Sequence, residues 1–250
     1  MERGYRMKSP EKRTPARRRR LWLIPVTVIA LLCIAFLIYV EQYYPADGTA
    51  KSAMESDETV TVTQTAYGWL FDGPSGEDAL IFYPGGKVEE TAYAPLLHRL
   101  AGQGMDVCLV RMPFRLAVFG ANKAAEVMRQ HDYAHWYIGG HSLGGAMAAS
   151  YAAAHGEQLS GVYLLAAYAT RPLDPDSRAF VIYGSEDGVL NRVKLEEGNR
   201  NLPEHSVTCV IDGGNHAQFG NYGNQAGDGK ALISAEEQQR RTVEWILENR

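Results

Sequence analysis

Apolar residues are spaced in two different ways along this chain. Residues 21–40 (LWLIPVTVIALLCIAFLIYV) are apolar without a polar stripe and carry no charge. As a helix they reach about 30 Å, the thickness of one hydrocarbon core, so the run predicts a transmembrane helix. From residue 58 a shorter rhythm begins. Residues 58–64 (ETVTVTQ) alternate apolar and polar with β-branched types, and 67–71 continue as a second strand before the Gly-Pro turn at 73–76. Then come ALIFY (79–83), the turn Pro84-Gly85-Gly86, and a helix carrying Leu96, Leu97 and Leu100. Strand VCLVRM (107–112) leads to a helix near 115–130, and strand WYIGG (136–140) to a helix over 143–155. Strands at 161–168 and 179–184, a helix near 189–200, strand SVTCVIDG (206–213) and an amphipathic helix at 234–249 complete the series. Short, nearly all-apolar strands alternating with helices predict an α/β domain, a doubly wound and mostly parallel sheet covered on both faces. Chemistry in such sheets gathers in loops at the carboxyl ends of the strands.

Charge explains how the two patterns belong together. Residues 1–20 hold nine Lys/Arg against Glu2 and Glu11, whereas the other 230 residues hold 16 basic and 27 acidic side chains, a net of -11. An acidic body argues against a nucleic-acid partner. The basic head, ending in Arg17–Arg20, reads as a cytoplasmic tail (1–20) before a signal anchor (21–40). The run is longer than a signal peptide's apolar region and leaves through 39–44 (YVEQYY), which offers no small-residue cleavage site. The expected arrangement is a single-pass protein of the cell membrane, its N-terminus inside and its domain (58–250) outside. Residues 41–57 read as a polar stalk between them. Cys108 and Cys209 lie in apolar strand-like runs and predict buried free thiols rather than a disulfide framework.

The chemistry centres on Gly140-His141-Ser142-Leu143-Gly144, a G-x-S-x-G pattern between a buried strand and a small-residue helix start (GGAMAASYAAA). A turn that tight exposes the serine hydroxyl and aims a helix N-terminus at it, where backbone N–H groups can hold an oxyanion. A serine nucleophile needs a base. Of seven histidines, His216 in IDGGNHAQFG follows the last strand and can reach back over the sheet, whereas His141 beside the nucleophile diverges from it. The base needs an acid to fix its tautomer. Asp187 in YGSEDG fits, with Glu186 and then Asp212 as alternatives. Asp228 is the only carboxylate in the Gly/Asn-rich segment 220–234, so no metal is expected there, and no cofactor.

These segments resemble the α/β-hydrolase superfamily over residues 58–250, and compact bacterial esterases and dienelactone hydrolases in particular. The matches are FYPGG (82–86), GGHSLGG (139–145), YGSEDG (183–188) and GGNHAQFG (213–220). The resemblance implies a catalytic Ser142, Asp187 and His216, with oxyanion donors at the backbone N–H of Leu143 and of Gly86 or Lys87. Two departures stand out: Pro84 replaces a histidine of many relatives, and the nucleophile is serine where true dienelactone hydrolases have cysteine. Only TRPLDPDSR separates two strands where relatives insert a lid, so an open site is expected. Phe219 and Tyr222 are candidates for the pocket wall, and Arg115 for an anionic substrate group.

The expected activity is a membrane-anchored carboxylic-ester hydrolase acting on a small-molecule ester or acyl substrate through an acyl-enzyme. A peptidase or transacylase would use the same residues. A catalytically idle hydrolase fold serving as a binding module is the alternative from another class.

Overall fold

The computed structural model describes residues 15–250, with side chains from Trp22 onward; residues 1–14 of the expected basic tail lie outside the described residues. The described chain divides after Gln42 into two units. The first is helix α1 (Pro15–Glu41). Its stretch Trp22–Glu41, 20 residues, is the one helix among the described residues long and apolar enough to cross a membrane. By length and composition it suits a membrane anchor or a signal sequence.

The second unit is built on an eight-stranded sheet, ordered β1-β2-β4-β3-β5-β6-β7-β8. Its strands are β1 (Thr61–Gln64), β2 (Gly68–Asp72), β3 (Asp78–Tyr83), β4 (Asp106–Val110), β5 (His135–His141), β6 (Gly161–Leu165), β7 (Ala179–Gly184) and β8 (Val207–Ile211). The β1–β2 and β2–β4 pairs are antiparallel, and every pair from β4 across to β8 is parallel. Alternate side chains of each strand feed opposite faces. Leu80 and Phe82 join Leu96 and Leu97 of α3 (Ala94–Gly102) and Val243 of α7 (Ala235–Glu248) in one core. Ile81 and Tyr83 join the other core, beneath α4 (Ala124–Met128), α5 (Leu143–His155) and α6 (Arg192–Asn199). The fold is thus an α/β hydrolase fold with a mostly parallel sheet. Only residues 166–178 join β6 to β7, so no lid is inserted there.

The chain leaves β3 for β4 on one side, then returns to lay β5 on the other. That reversal opens a crevice between the carboxyl ends of β3 and β5, where Pro84–Gly86 and Ser142 lie.

Two expectations need correction. No free stalk separates the helix from the body: Tyr43 already belongs to the compact unit. Tyr44 bridges Val88, Ala46 and Ala50 enter the core, and Asp47 caps the short helix α2 (Gly48–Ser52) through the N–H of Ala50 at 2.9 Å. The anchoring groups are two alanines and a tyrosine separated by polar residues, so the segment reads as solvent-facing by composition. Second, the helix expected over 115–130 shrinks to α4. Pro113 opens a tight turn, Phe114 and Arg115 take positive φ of 54° and 56°, and Gly120 breaks the chain direction again before α4. Left-handed residues cannot continue a right-handed helix.

Candidate active site

Ser142 joins β5 directly to α5 with φ 53° and ψ -121°, a conformation L-residues avoid at a cost of about 1–3 kcal/mol. Close packing sustains it. A Cβ at Gly140 would lie 2.5 Å from the Tyr83 carbonyl oxygen, and one at Gly144 2.2 Å from the same atom, so both flanking positions admit only glycine. The Ser142 N–H donates to the Leu165 carbonyl at 2.9 Å, fixing the turn to β6, and its own carbonyl accepts from Ala146 at 3.0 Å to start the helix. Ser142 remains half-buried, reachable from a cleft of about 250 Å³. His216 lines the same cleft, with Ala166–Tyr168 beyond β6 and Val189–Asn191 beyond β7 forming its walls.

Asp187 lies beneath His216. Its Oδ2 is 2.9 Å from His216 Nδ1, while its Oδ1 accepts the N–H groups of Val189 at 2.9 Å and Leu190 at 2.8 Å. Both side chains are buried, so the carboxylate is oriented by the fold rather than by solvent. An acceptor at Nδ1 places the proton there and leaves Nε2 with its lone pair. That Nε2 is buried and has no hydrogen-bond partner among the described residues. Ser142 and His216 share the cleft without a hydrogen bond between them, a spacing common before substrate closes the geometry. The alternative acids do not meet the imidazole: the Glu186 carboxylate accepts from the Ser185 hydroxyl at 2.9 Å, and Asp212 is exposed.

The turn after β3 supplies the facing wall. The Lys87 N–H is engaged by the Arg115 carbonyl at 2.9 Å, and that of Gly85 by the Tyr93 hydroxyl at 3.0 Å. Between them, the N–H of Gly86 is given to no carbonyl or side chain among the described residues, and a Cβ at Gly86 would sit 2.9 Å from Leu143 Cδ2. Gly86 and Leu143 are therefore neighbours across the crevice.

His141 is buried and points into this framework, with Nδ1 2.8 Å from the Tyr93 hydroxyl and its ring centroid 4.4 Å from that of His216. Burial, reinforced by the neighbouring His216, holds its pKa well below the usual imidazole range; the His216 carbonyl opposes this weakly, without hydrogen-bond geometry to the unpartnered Nε2. Phe219 and Tyr222, expected as pocket wall, are instead buried core residues, and Phe219 packs on His141 with ring centroids 5.5 Å apart. Arg115 lies over the Tyr43 ring, 3.5 Å from its centroid, away from the residues lining the cleft.

Three supporting residues escaped the sequence reading. One carboxylate, Asp228, accepts four backbone N–H groups: Gly188 at 3.2 Å, His216 at 3.2 Å, Ala217 at 2.8 Å and Gly229 at 2.8 Å. It therefore ties the acid loop to the histidine loop. Gln238 clamps Asn215 by accepting its N–H at 2.9 Å and donating to its carbonyl at 2.8 Å. Tyr93 links Gly85 to His141. The signal for Gln238 was a polar residue on the apolar face of the last helix; Asp228 and Tyr93 had none. No group of three or more His, Cys, Asp or Glu residues suited to a metal occurs among the described residues.

Known proteins share this fold. The chain is similar in structure to TT1662 from Thermus thermophilus, at 13% identity, covering 76% of this chain and 97% of that one with a TM-score of 0.56. It is similar to a dienelactone hydrolase from Anabaena variabilis at 12% identity, covering 77% and 97% with a TM-score of 0.53. A membrane phospholipase A described as a bacterial virulence factor aligns at 11% identity over 94% of this chain and 100% of its own, with a TM-score of 0.56. At these identities the likeness concerns the fold. No curated protein matches the chain in sequence. The family model described as "Alpha/beta hydrolase family" matches residues 79–240, from β3 into α7, and on that match the chain belongs to the alpha/beta hydrolase family.

Proposed function

We propose that the protein is a serine ester hydrolase, held by residues 21–40 in the cell membrane with its N-terminus cytoplasmic and residues 43–250 outside. The observation that carries this reading is the buried His216–Asp187 pair at 2.9 Å, whose imidazole lines the same cleft as the strained Ser142.

In the proposed reaction, His216 Nε2 takes the Ser142 hydroxyl proton as Oγ attacks the ester carbonyl carbon. The tetrahedral oxyanion is held by the N–H groups of Leu143 and Gly86; the engagement of the Lys87 N–H by Arg115 favours Gly86 as the second donor. Collapse breaks the ester C–O bond, and the leaving oxygen takes the proton from imidazolium. Water, deprotonated by His216, then attacks the acyl-serine and releases the acid. Asp187 holds the tautomer throughout. The cleft is small and lacks a lid, which favours compact acyl groups. Same-fold structures that include a dienelactone hydrolase and a membrane phospholipase A indicate how widely ester chemistry varies on this scaffold.

The test uses the full chain in detergent micelles. A fluorophosphonate probe should label the wild type and leave Ser142→Ala unlabelled, and hydrolysis of p-nitrophenyl esters should fall at least about 10³-fold in that variant. A folded wild type that takes no label sinks the hydrolase reading and favours a binding role for the fold.

A further inference from the structure

We propose that the loop after β4, residues 113–119, is an apolar lip that docks the body onto a zwitterionic lipid surface; this rests on the reading that residues 21–40 span the membrane. Three of its large apolar side chains are exposed: Phe114 at 48%, Val118 at 50% and Phe119 at 54%. The two aromatic rings meet edge to face with centroids 5.7 Å apart, so they form one surface rather than scattered groups. The backbone beneath them is strained, with Phe114 and Arg115 both left-handed at φ 54° and 56°. A bulky aromatic held there at half exposure neither fills the core nor relaxes its backbone, and strain of this kind marks a segment kept for a purpose.

Chain length supplies the partner. The apolar stretch ends at Glu41, and the body begins at Tyr43. Two residues extend about 7 Å at most, so a membrane-spanning helix leaves Tyr43 at the interface. Arg115 stacks on the Tyr43 ring at 3.5 Å, which brings the lip to the same level. Tyrosine and arginine suit that depth, the ring in the headgroup layer and the guanidinium reaching water. Apolar neighbours one to four residues from Arg115 then reach the acyl boundary, as the apolar face of an interfacial helix does. On its other side the loop backs the site: the Arg115 carbonyl holds the Lys87 N–H, and Leu116 Cδ2 would lie 3.8 Å from a Cβ at Gly86. Charge contributes little, because Arg111 is paired with Glu90 at 2.6 Å and Glu89 stands in the same groove. Docking is therefore apolar and insensitive to salt.

The experiment uses the full chain with Ser142→Ala, Cys33→Ser and Cys209→Ser, reconstituted in phosphatidylcholine vesicles. One sample carries Val118→Cys labelled with an environment-sensitive fluorophore. The other carries the label at Asp176→Cys, an exposed position before β7 at the amino ends of the parallel strands. The expected result is a blue-shifted emission at 118 that doxyl-lipids quench at least about threefold more than at 176, unchanged by salt. Water-like emission at 118 in chains that resist carbonate extraction overturns the lip and leaves the anchor standing. Release of the chain by carbonate overturns the anchor and the lip together. Equal quenching at both positions also overturns the lip, since the body would then lie on the lipid without a preferred face. None of these readouts depends on Ser142, so they stand apart from the hydrolase test.

Discussion

The loops after β7 and β8 and the loop after β4 border one site but are built on opposite terms. On the first side, backbone N–H groups are held by side chains: Asp187 takes those of Val189 and Leu190, Asp228 takes four more, and Gln238 clamps Asn215. On the second, Phe114 and Arg115 sit in strained conformations and three apolar side chains face outward. The contrast teaches how this fold divides its labour. The acid and histidine loops are held by dense side-chain-to-backbone hydrogen bonding, while the loop after β4 keeps three large apolar groups exposed.

The largest break in the comparison should come from the buried acid. Asp187→Asn keeps the shape but lets an amide donor face Nδ1, which favours the wrong tautomer; kcat should fall on the order of 10³–10⁴-fold. Glu186→Gln, whose carboxylate meets only Ser185, should stay within about twofold of wild type. Steady-state kinetics on one soluble ester decides between them. Comparable losses in both variants would mean that the loop as a whole, and not the Asp187–His216 bond, carries the effect.

Asp228 gives the intermediate effect. Asp228→Asn replaces one acceptor oxygen by a donor against N–H groups that have no other partner, loosening His216 and Gly188 together. A fall in kcat of about 10–100-fold with KM changed less than about threefold is expected, with melting lowered by several degrees. If Asp228 only stabilises the fold, the melting temperature drops while kcat of the folded fraction stays at the wild-type value.

Much of the polar side was legible because its candidate residues sit where period and motif change together. Ser142 stands at a strand-to-helix switch, and Asp187 and His216 follow strand ends, so β alternation and loop glycines located all three. The cross-ties were not legible. Asp228 acts through backbone N–H groups up to 40 positions away, contacts that leave no local pattern, and a lone Asp-Gly reads as a turn. Residues 43–53 were hidden for another reason: alanines and a tyrosine packing on the body resemble a linker in composition. The helix expected over 115–130 failed because apolar spacing cannot register the left-handed backbone at Phe114 and Arg115, where the Arg115 carbonyl is tied to the Lys87 N–H across the neighbouring turn.

The smallest effect sharpens the comparison by testing one of the unsatisfied places in the polar framework, His141 Nε2. Tyr93 accepts from Gly85 and so turns its own proton to His141 Nδ1, which puts the imidazole proton on Nε2, where it has no partner. The ring is neutral when folded because burial depresses its pKa well below the usual value. Between the depressed folded pKa and the unfolded value near ~6.5, the unfolded chain binds the extra proton. Stability from this group is therefore full above ~6.5 and declines as pH falls through that window, by up to about 1.4 kcal/mol per pH unit. Melting curves of the full chain at pH 8, 7, 6 and 5 should show the wild type losing ground to His141→Gln below pH ~6.5, whatever their offset at pH 8. Parallel curves for the two proteins over that range would show that His141 gains its proton as easily folded as unfolded, and that the framework tolerates a charge where its geometry leaves none paired.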